Sequence, residues 1–154
     1  MSSYSRSRHS KYSLKVHLIF VTKYRKPIFC DNDMNTYIKN LFQDISIKHN
    51  YKIIQMETDK NHIHEQRSCE WKVYTCETSI YIFHILLEYQ PNISVSTIVK
   101  QLKQYTTYQM WKQYENILSK YYWKQKILWS DGYFVCSIGQ VSQSIIEKYI
   151  ESQG

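Results

Sequence analysis

His62 and His64 stand two apart, with Ile63 between them. In a strand, the two-residue period puts both imidazoles on one face and Ile63 in the core. Two same-facing imidazoles can ligate a borderline divalent metal. They can equally be two histidines at a strand start that face water. Near the end of the sequence, Tyr149 and Gln153 lie four apart, so in a helix they share a face. Taken alone, Tyr149 reads as the edge of an amphipathic stripe anchored by Ile145, Ile146 and Ile150, and Gln153 as solvent-exposed. A third set is basic: Lys23, Arg25, Lys26, Lys100, Lys103 and Lys112, interleaved with Tyr24, Tyr105, Tyr108 and Trp111. Aromatic rings can stack bases while cations follow phosphates; the same residues also make an ordinary solvated helix flank. The sequence contains no glycine-rich phosphate loop, no Gly-x-Ser-x-Gly elbow and no His-Glu-x-x-His.

Composition bounds what can position these groups. A chain of 154 residues has room for one sizeable core. With 43% hydrophobic residues and only 3 Gly and 2 Pro, it is neither disordered nor a repeat. Twenty basic against 13 acidic side chains leave a formal charge of +7, which suits a polyanionic partner and also serves solubility. Cys30, Cys69, Cys76 and Cys136 form no CxxC pair and read as four reduced thiols. No apolar run is long enough to span a bilayer, and residues 1–11 read as a short basic tail without the apolar stretch of a secretory signal. The expectation is a cytoplasmic protein with one domain over 12–154.

Periodicity predicts the elements. Tyr12 to Tyr24 is rich in β-branched and aromatic residues and reads as a strand covered on both faces. Asp31 or Asn32 caps a helix whose apolar stripe is Met34, Tyr37, Ile38, Leu41, Phe42 and Ile45, ending near His49-Asn50. Tyr51 to Glu57 is a second strand. Strand-like residues resume near Ile80 and run to Tyr89. A second helix starts at Asn92, Ser94 or Ser96, carries Val95, Ile98, Val99, Leu102 and Tyr105 on one face, and has Trp111 near its end. Tyr114 to Lys126 is polar and aromatic and suits a helical connection, residues 132 to 139 read as a strand, and Val141 to Ser152 as a last helix. Strand, helix, strand, strand, helix, strand is the order of an α+β, ferredoxin-like split βαβ fold with a four-stranded antiparallel sheet and two packing helices. The C-terminal helix, which carries Tyr149, is additional to it.

Four pieces in this order, HLIFVTKYRKPIF, METDKNHIH, ISVSTIVKQLKQYTTYQMW and GYFVCSIG with IIEKYIESQG, resemble the single-tyrosine transposases of the IS200-like insertion sequences. These belong to the His-hydrophobe-His nuclease superfamily. The resemblance covers about 12–64 and 85–154. It implies that His62 and His64 hold Mg²⁺ or Mn²⁺, that Gln153 completes the metal shell, and that Tyr149 attacks phosphorus. It further implies cleavage and rejoining of single-stranded DNA with a subterminal hairpin, a homodimer whose active sites are completed in trans, and no nucleotide cofactor. In the family the histidine pair runs straight into an apolar strand; here ILLEY, 85–89, follows about twenty residues later. Either the segment 65–84 loops out as an insertion behind His62 and His64, or the strand is Tyr81 to Tyr89. In the second case Ile82 and His84 stand where the two ligands would be, and His84 is a displaced ligand. The first arrangement is the expected one. Two other functions stay open: an inactive or regulatory hairpin-DNA-binding relative, and an RNA-binding ferredoxin-like module with aromatics on its sheet.

Overall fold

The computed structural model describes residues 5–6, 11–29, 31–61, 80–138, 148 and 151. A short hairpin, β1 (Ser5–Arg6) with β2 (Lys11–Tyr12), opens the chain, so part of the stretch expected as a plain tail is paired. The main elements follow as β3 (Leu14–Val21), α1 (Asn32–Lys48), β4 (Lys52–Asn61), β5 (Ile80–Tyr89), α2 (Val95–Tyr121) and β6 (Phe134–Ser137). The sheet is antiparallel with spatial order β4-β5-β3-β6. This is the expected α+β ferredoxin-like arrangement: the two halves of the chain interleave, and β3 and β5 form the centre.

Alternation along the central strands separates two faces. Val16, Leu18 and Phe20 of β3, with Tyr81, Phe83, Ile85 and Leu87 of β5, are buried on the helix side. α1 lays Met34, Ile38, Leu41, Phe42 and Ile45 on them, and α2 adds Ile98, Val99, Leu102 and Met110. Each helix starts at one of its candidate caps: Asp31 accepts from the Asp33 N–H at 2.9 Å, and Ser94 from that of Thr97 at 3.2 Å. Asn50, φ 59°, takes the left-handed turn after α1.

One expectation is corrected. α2 does not end near Trp111 but runs on, with a kink at Tyr114, to Tyr121, so the helical connection expected from Tyr114 is part of the same helix up to that residue. Met110, Trp111 and Leu118 remain buried along it, and the Trp111 indole donates to the Ile127 carbonyl at 2.8 Å. These contacts to a distant segment hold the polar second half of the helix, and periodicity within the helix does not show them.

Phe83 is the hub of the core. Its ring lies 4.9 Å from Phe29, 5.2 Å from Trp129 and 5.9 Å from Phe42, centroid to centroid. Trp129 also meets Phe20 at 5.7 Å and donates its indole N–H to Thr106 Oγ1 at 2.9 Å. Thr106 in turn donates to the Leu102 carbonyl at 2.7 Å, so both the indole N–H and the hydroxyl are satisfied. Phe83→Ala is expected to cost about 3–5 kcal/mol in urea unfolding. A cost below about 1 kcal/mol would mean that the aromatic cluster is not centred on this residue.

Candidate nucleic-acid and catalytic site

The face of the sheet away from the helices carries the candidate chemistry. Directly opposed residues share a face, so the register groups His17 and Ile19 of β3 with Leu86 and His84 of β5. Glu57 of β4 lies opposite His84, and Cys136 of β6 opposite His17. The two histidines are buried, at 7% and 5% exposure. His17 Nε2 and His84 Nδ1 are hydrogen-bonded at 3.1 Å, with ring planes 21° apart. One nitrogen donates and the other accepts, so the tautomer of each ring is tied to that of the other. Leu86 packs with Ile138 and Ile54 beside them.

β5 begins at Ile80, so residues 80–84 belong to the sheet; the expectation that 65–84 loops out as one insertion is corrected to that extent. The cause is cooperative pairing: Asn61 meets Ile80, and the ladder runs through Glu57 and His84 to Lys52 and Glu88. Tyr81 and Phe83 then fill the core while Ile82 and His84 take the other face. Asn61 and its partner Ile80 stand four residues, roughly 13 Å, from His84 along the strand. His62, His64, Tyr149 and Gln153 lie outside the described residues; Lys148 and Glu151, which flank Tyr149, are helical and exposed. Among the described residues, no three His, Cys, Asp or Glu side chains stand close enough to hold a metal ion.

The basic residues divide by what they touch. Lys23 pairs with Asp131 at 2.6 Å. Lys103 is half-buried and gives its ammonium to the carbonyls of Ser130 at 2.8 Å, Asp131 at 3.3 Å and Gly132 at 2.9 Å. It works as a staple between α2 and the segment that leads into β6, which also pairs with the end of β3 through Ser130 N–H to the Val21 carbonyl. Burial lowers the Lys103 pKa, partly offset by Asp131. Arg25 is exposed and Lys26 half-buried, in a connection where Tyr24 (φ 54°) and Arg25 (φ 52°) are both left-handed. Two consecutive non-glycine residues there are strained, a feature that concentrates at functional segments. Tyr105 packs against the core, whereas Tyr108 is 66% exposed and Lys100 is exposed.

A four-stranded antiparallel sheet with a buried imidazole pair on the face away from α1 and α2, and cations around one helix, defines the class of fold. The IS200-like transposase family model matches residues 10–69 and 65–153, and the chain belongs to that family. The ISDra2 transposase TnpA of Deinococcus radiodurans is 25% identical over 142 residues, covering 92% of this chain and 85% of that protein. The transposase for insertion sequence element IS200 of Salmonella typhimurium is 24% identical over 145 residues, 94% of this chain and 80% of that one. Among solved structures, a transposase from Deinococcus radiodurans R1 superposes with a TM-score of 0.67 at 23% identity, covering 97% of each chain. A REP-associated tyrosine transposase bound to a REP hairpin gives 0.51 at 10% identity, covering 97% of this chain and 70% of that one. The last two support the fold. Membership disfavours the RNA-binding module, as does the burial of His17, His84 and Leu86 on this face, where Phe134 is the one Phe, Tyr or Trp among the described residues. Among those residues no helix is long and apolar enough to cross a membrane, and Cys136 is a free, exposed thiol.

Burial pushes the His84 pKa down from 6.5 to about 4, helped by the adjacent His17, and burial lowers that of His17 as well. In the unfolded chain both titrate near 6.5. Their contribution to stability is therefore complete above about pH 6.5 and is lost as pH falls towards 4, because the unfolded state takes up protons first. For His84 the loss is on the order of 3 kcal/mol. Urea unfolding between pH 7 and pH 4.5 should show this decline, and a His17→Leu, His84→Leu double variant should lose that part of it. A flat profile for the parent would show that the rings are not held neutral.

Proposed function

We propose that this transposase cleaves and rejoins single-stranded DNA through a covalent 5′-phosphotyrosine at Tyr149. The observation that carries this reading is the reach of the family match: 10–69 includes METDKNHIH, and 65–153 includes EKYIESQ. In the step proposed, Tyr149 Oη forms a bond to phosphorus and the bond from phosphorus to the 3′ oxygen breaks. The phenolic proton is balanced by the 3′-hydroxyl that leaves. The bond energy stays in the phosphotyrosine, so rejoining needs no nucleotide cofactor. His62, His64 and Gln153 are the proposed holders of Mg²⁺ or Mn²⁺; two imidazoles and an amide oxygen form a mixed donor set with room for water. When bound, the ion would polarise the scissile phosphate. The proposed substrate is DNA with a subterminal hairpin, in line with the REP hairpin held by the structural neighbour and with the positive charge here. The proposed assembly is a homodimer in which the Tyr149 helix of one subunit serves the histidine pair of the other.

A second reading has an observation of its own. The strand leading into ILLEY presents Ile82 and His84, one imidazole instead of two, and that imidazole is bonded to His17. A protein that has lost cleavage but keeps hairpin binding would fit this strand. Denaturing-gel detection of a DNA adduct with Mn²⁺ separates the two. The parent should form the adduct; Tyr149→Phe, His62→Ala and His64→Ala should abolish it while hairpin binding persists; His84→Ala should act on folding or solubility. Loss of the adduct in the His84 variant alone would overturn the ligand assignment, and tight hairpin binding without any parental adduct would establish the inactive relative.

The assembly has its own test. Mixing Tyr149→Phe chains with His64→Ala chains should restore part of the adduct, since one of the two composite sites is then intact. A parent that cleaves fully as a monomer would reject completion in trans.

A further inference from the structure

A groove of about 900 Å³ runs between α2 and the segment from Lys126 to Asp131. One wall is the row Lys100, Gln104, Tyr108 and Lys112, spaced four apart and all exposed. The floor is built from Trp111 and Trp129, each nearly buried and bonded through its indole N–H, so neither ring can swing out. Lys103 pins the carbonyls of residues 130–132 and fixes the far wall. Both acidic residues of the groove are neutralised, Glu115 by Lys126 at 3.2 Å and Asp131 by Lys23 at 2.6 Å. Among the described residues, Lys100 and Lys112 have no ion-pair partner.

We infer that this groove seats an unpaired, single-stranded DNA segment, with a base stacked on Tyr108 and phosphates on Lys100 and Lys112. The inference rests on the proposed DNA substrate and adds the place where its unpaired part lies. The two free lysines stand twelve residues apart on the helix, about 18 Å, a span that a few nucleotides of extended single strand can cover. A 66% exposed tyrosine between two cations offers a ring face to a base that is free to leave its stack; a paired base cannot take it. A second copy docked here about a twofold axis would bring like-charged rows together.

The test uses fluorescence anisotropy with two DNAs: a blunt hairpin, and the same hairpin with a five-nucleotide single-stranded tail. For the parent the tail should tighten binding by at least about fivefold. Tyr108→Ala should remove at least about fivefold of that gain, Tyr108→Trp should keep it, and the blunt hairpin should bind all three alike. Lys100→Glu with Lys112→Glu should lower the tail gain and reduce the salt slope by about 1.4, the release expected from two single-strand phosphates. Circular dichroism should show all variants folded, since each changed side chain is exposed.

A parent that gains nothing from the tail, or variants that lose equally on both DNAs, would overturn the groove and leave hairpin binding standing. A parent that binds neither DNA would overturn both readings. An unchanged tail gain together with loss of a dimer in sedimentation of the variants would assign the groove to a second copy instead.

Discussion

The register of β5 between β3 and β4 is the constraint on which the rest of the structure depends. Phe83 opposite Phe20, and Ile85 opposite Leu18, put the largest apolar side chains under the helices. Side chains alternate with a period of two, so a one-residue slip would send this set to the other face and bring His84 into the core. The aromatic cluster around Phe83 therefore sets the position of His84. It does so at a distance, through packing on the opposite side of the strand, and the hydrogen bond to His17 then fixes the ring.

A second arrangement works through cations instead of apolar burial. The segment after α2 has little core of its own, with Leu128 and Trp129 as its anchors. It is held by Ser130 on the end of β3, by the Trp129 indole on Thr106, and by the Lys103 ammonium on three carbonyls. Lysine suits this task, because its three donors can meet three converging acceptors. Lys23 on Asp131 adds an ion pair whose acid is almost fully exposed, so its worth to stability is small. Its consequence is electrostatic: it removes an acidic charge from the groove that Lys100 and Lys112 line.

The transposase chemistry has to be reconciled with the stretch between Asn61 and Ile80. Loop closure costs only about 0.6 kcal/mol more per doubling of length, so β4 and β5 can pair although 18 residues separate Asn61 from Ile80. The chemical consequence is larger than the thermodynamic one. The sequence carries its His-x-His on the β4 side of this stretch, while the strand that enters the sheet centre carries a single histidine.

Much of this was legible in the residues alone. The strand around Val16 to Phe20, the stripe from Met34 to Ile45, the caps Asp31 and Ser94, and the strand–helix order all follow from local periodicity and hydrogen-bond chemistry, which act between residues close in sequence. The resemblance of HLIFVTKYRKPIF and METDKNHIH named the family that the comparison then matched. What only the tertiary structure decided depends on contacts between distant residues. His17 and His84 are 67 residues apart in the chain, and no local pattern announces that they share a hydrogen bond. Lys103 looked like any cation on a helix flank until the carbonyls 27 to 29 residues later were placed against it. Whether residues 80–84 pair or loop out was equally open, because Ile-Tyr-Ile-Phe-His suits a strand but only a partner edge can recruit it. Local sequence specifies which residues can form an element; the free energy of burying Tyr81 against Phe29, and Phe83 against Phe29, Phe42 and Trp129, selects which of them do.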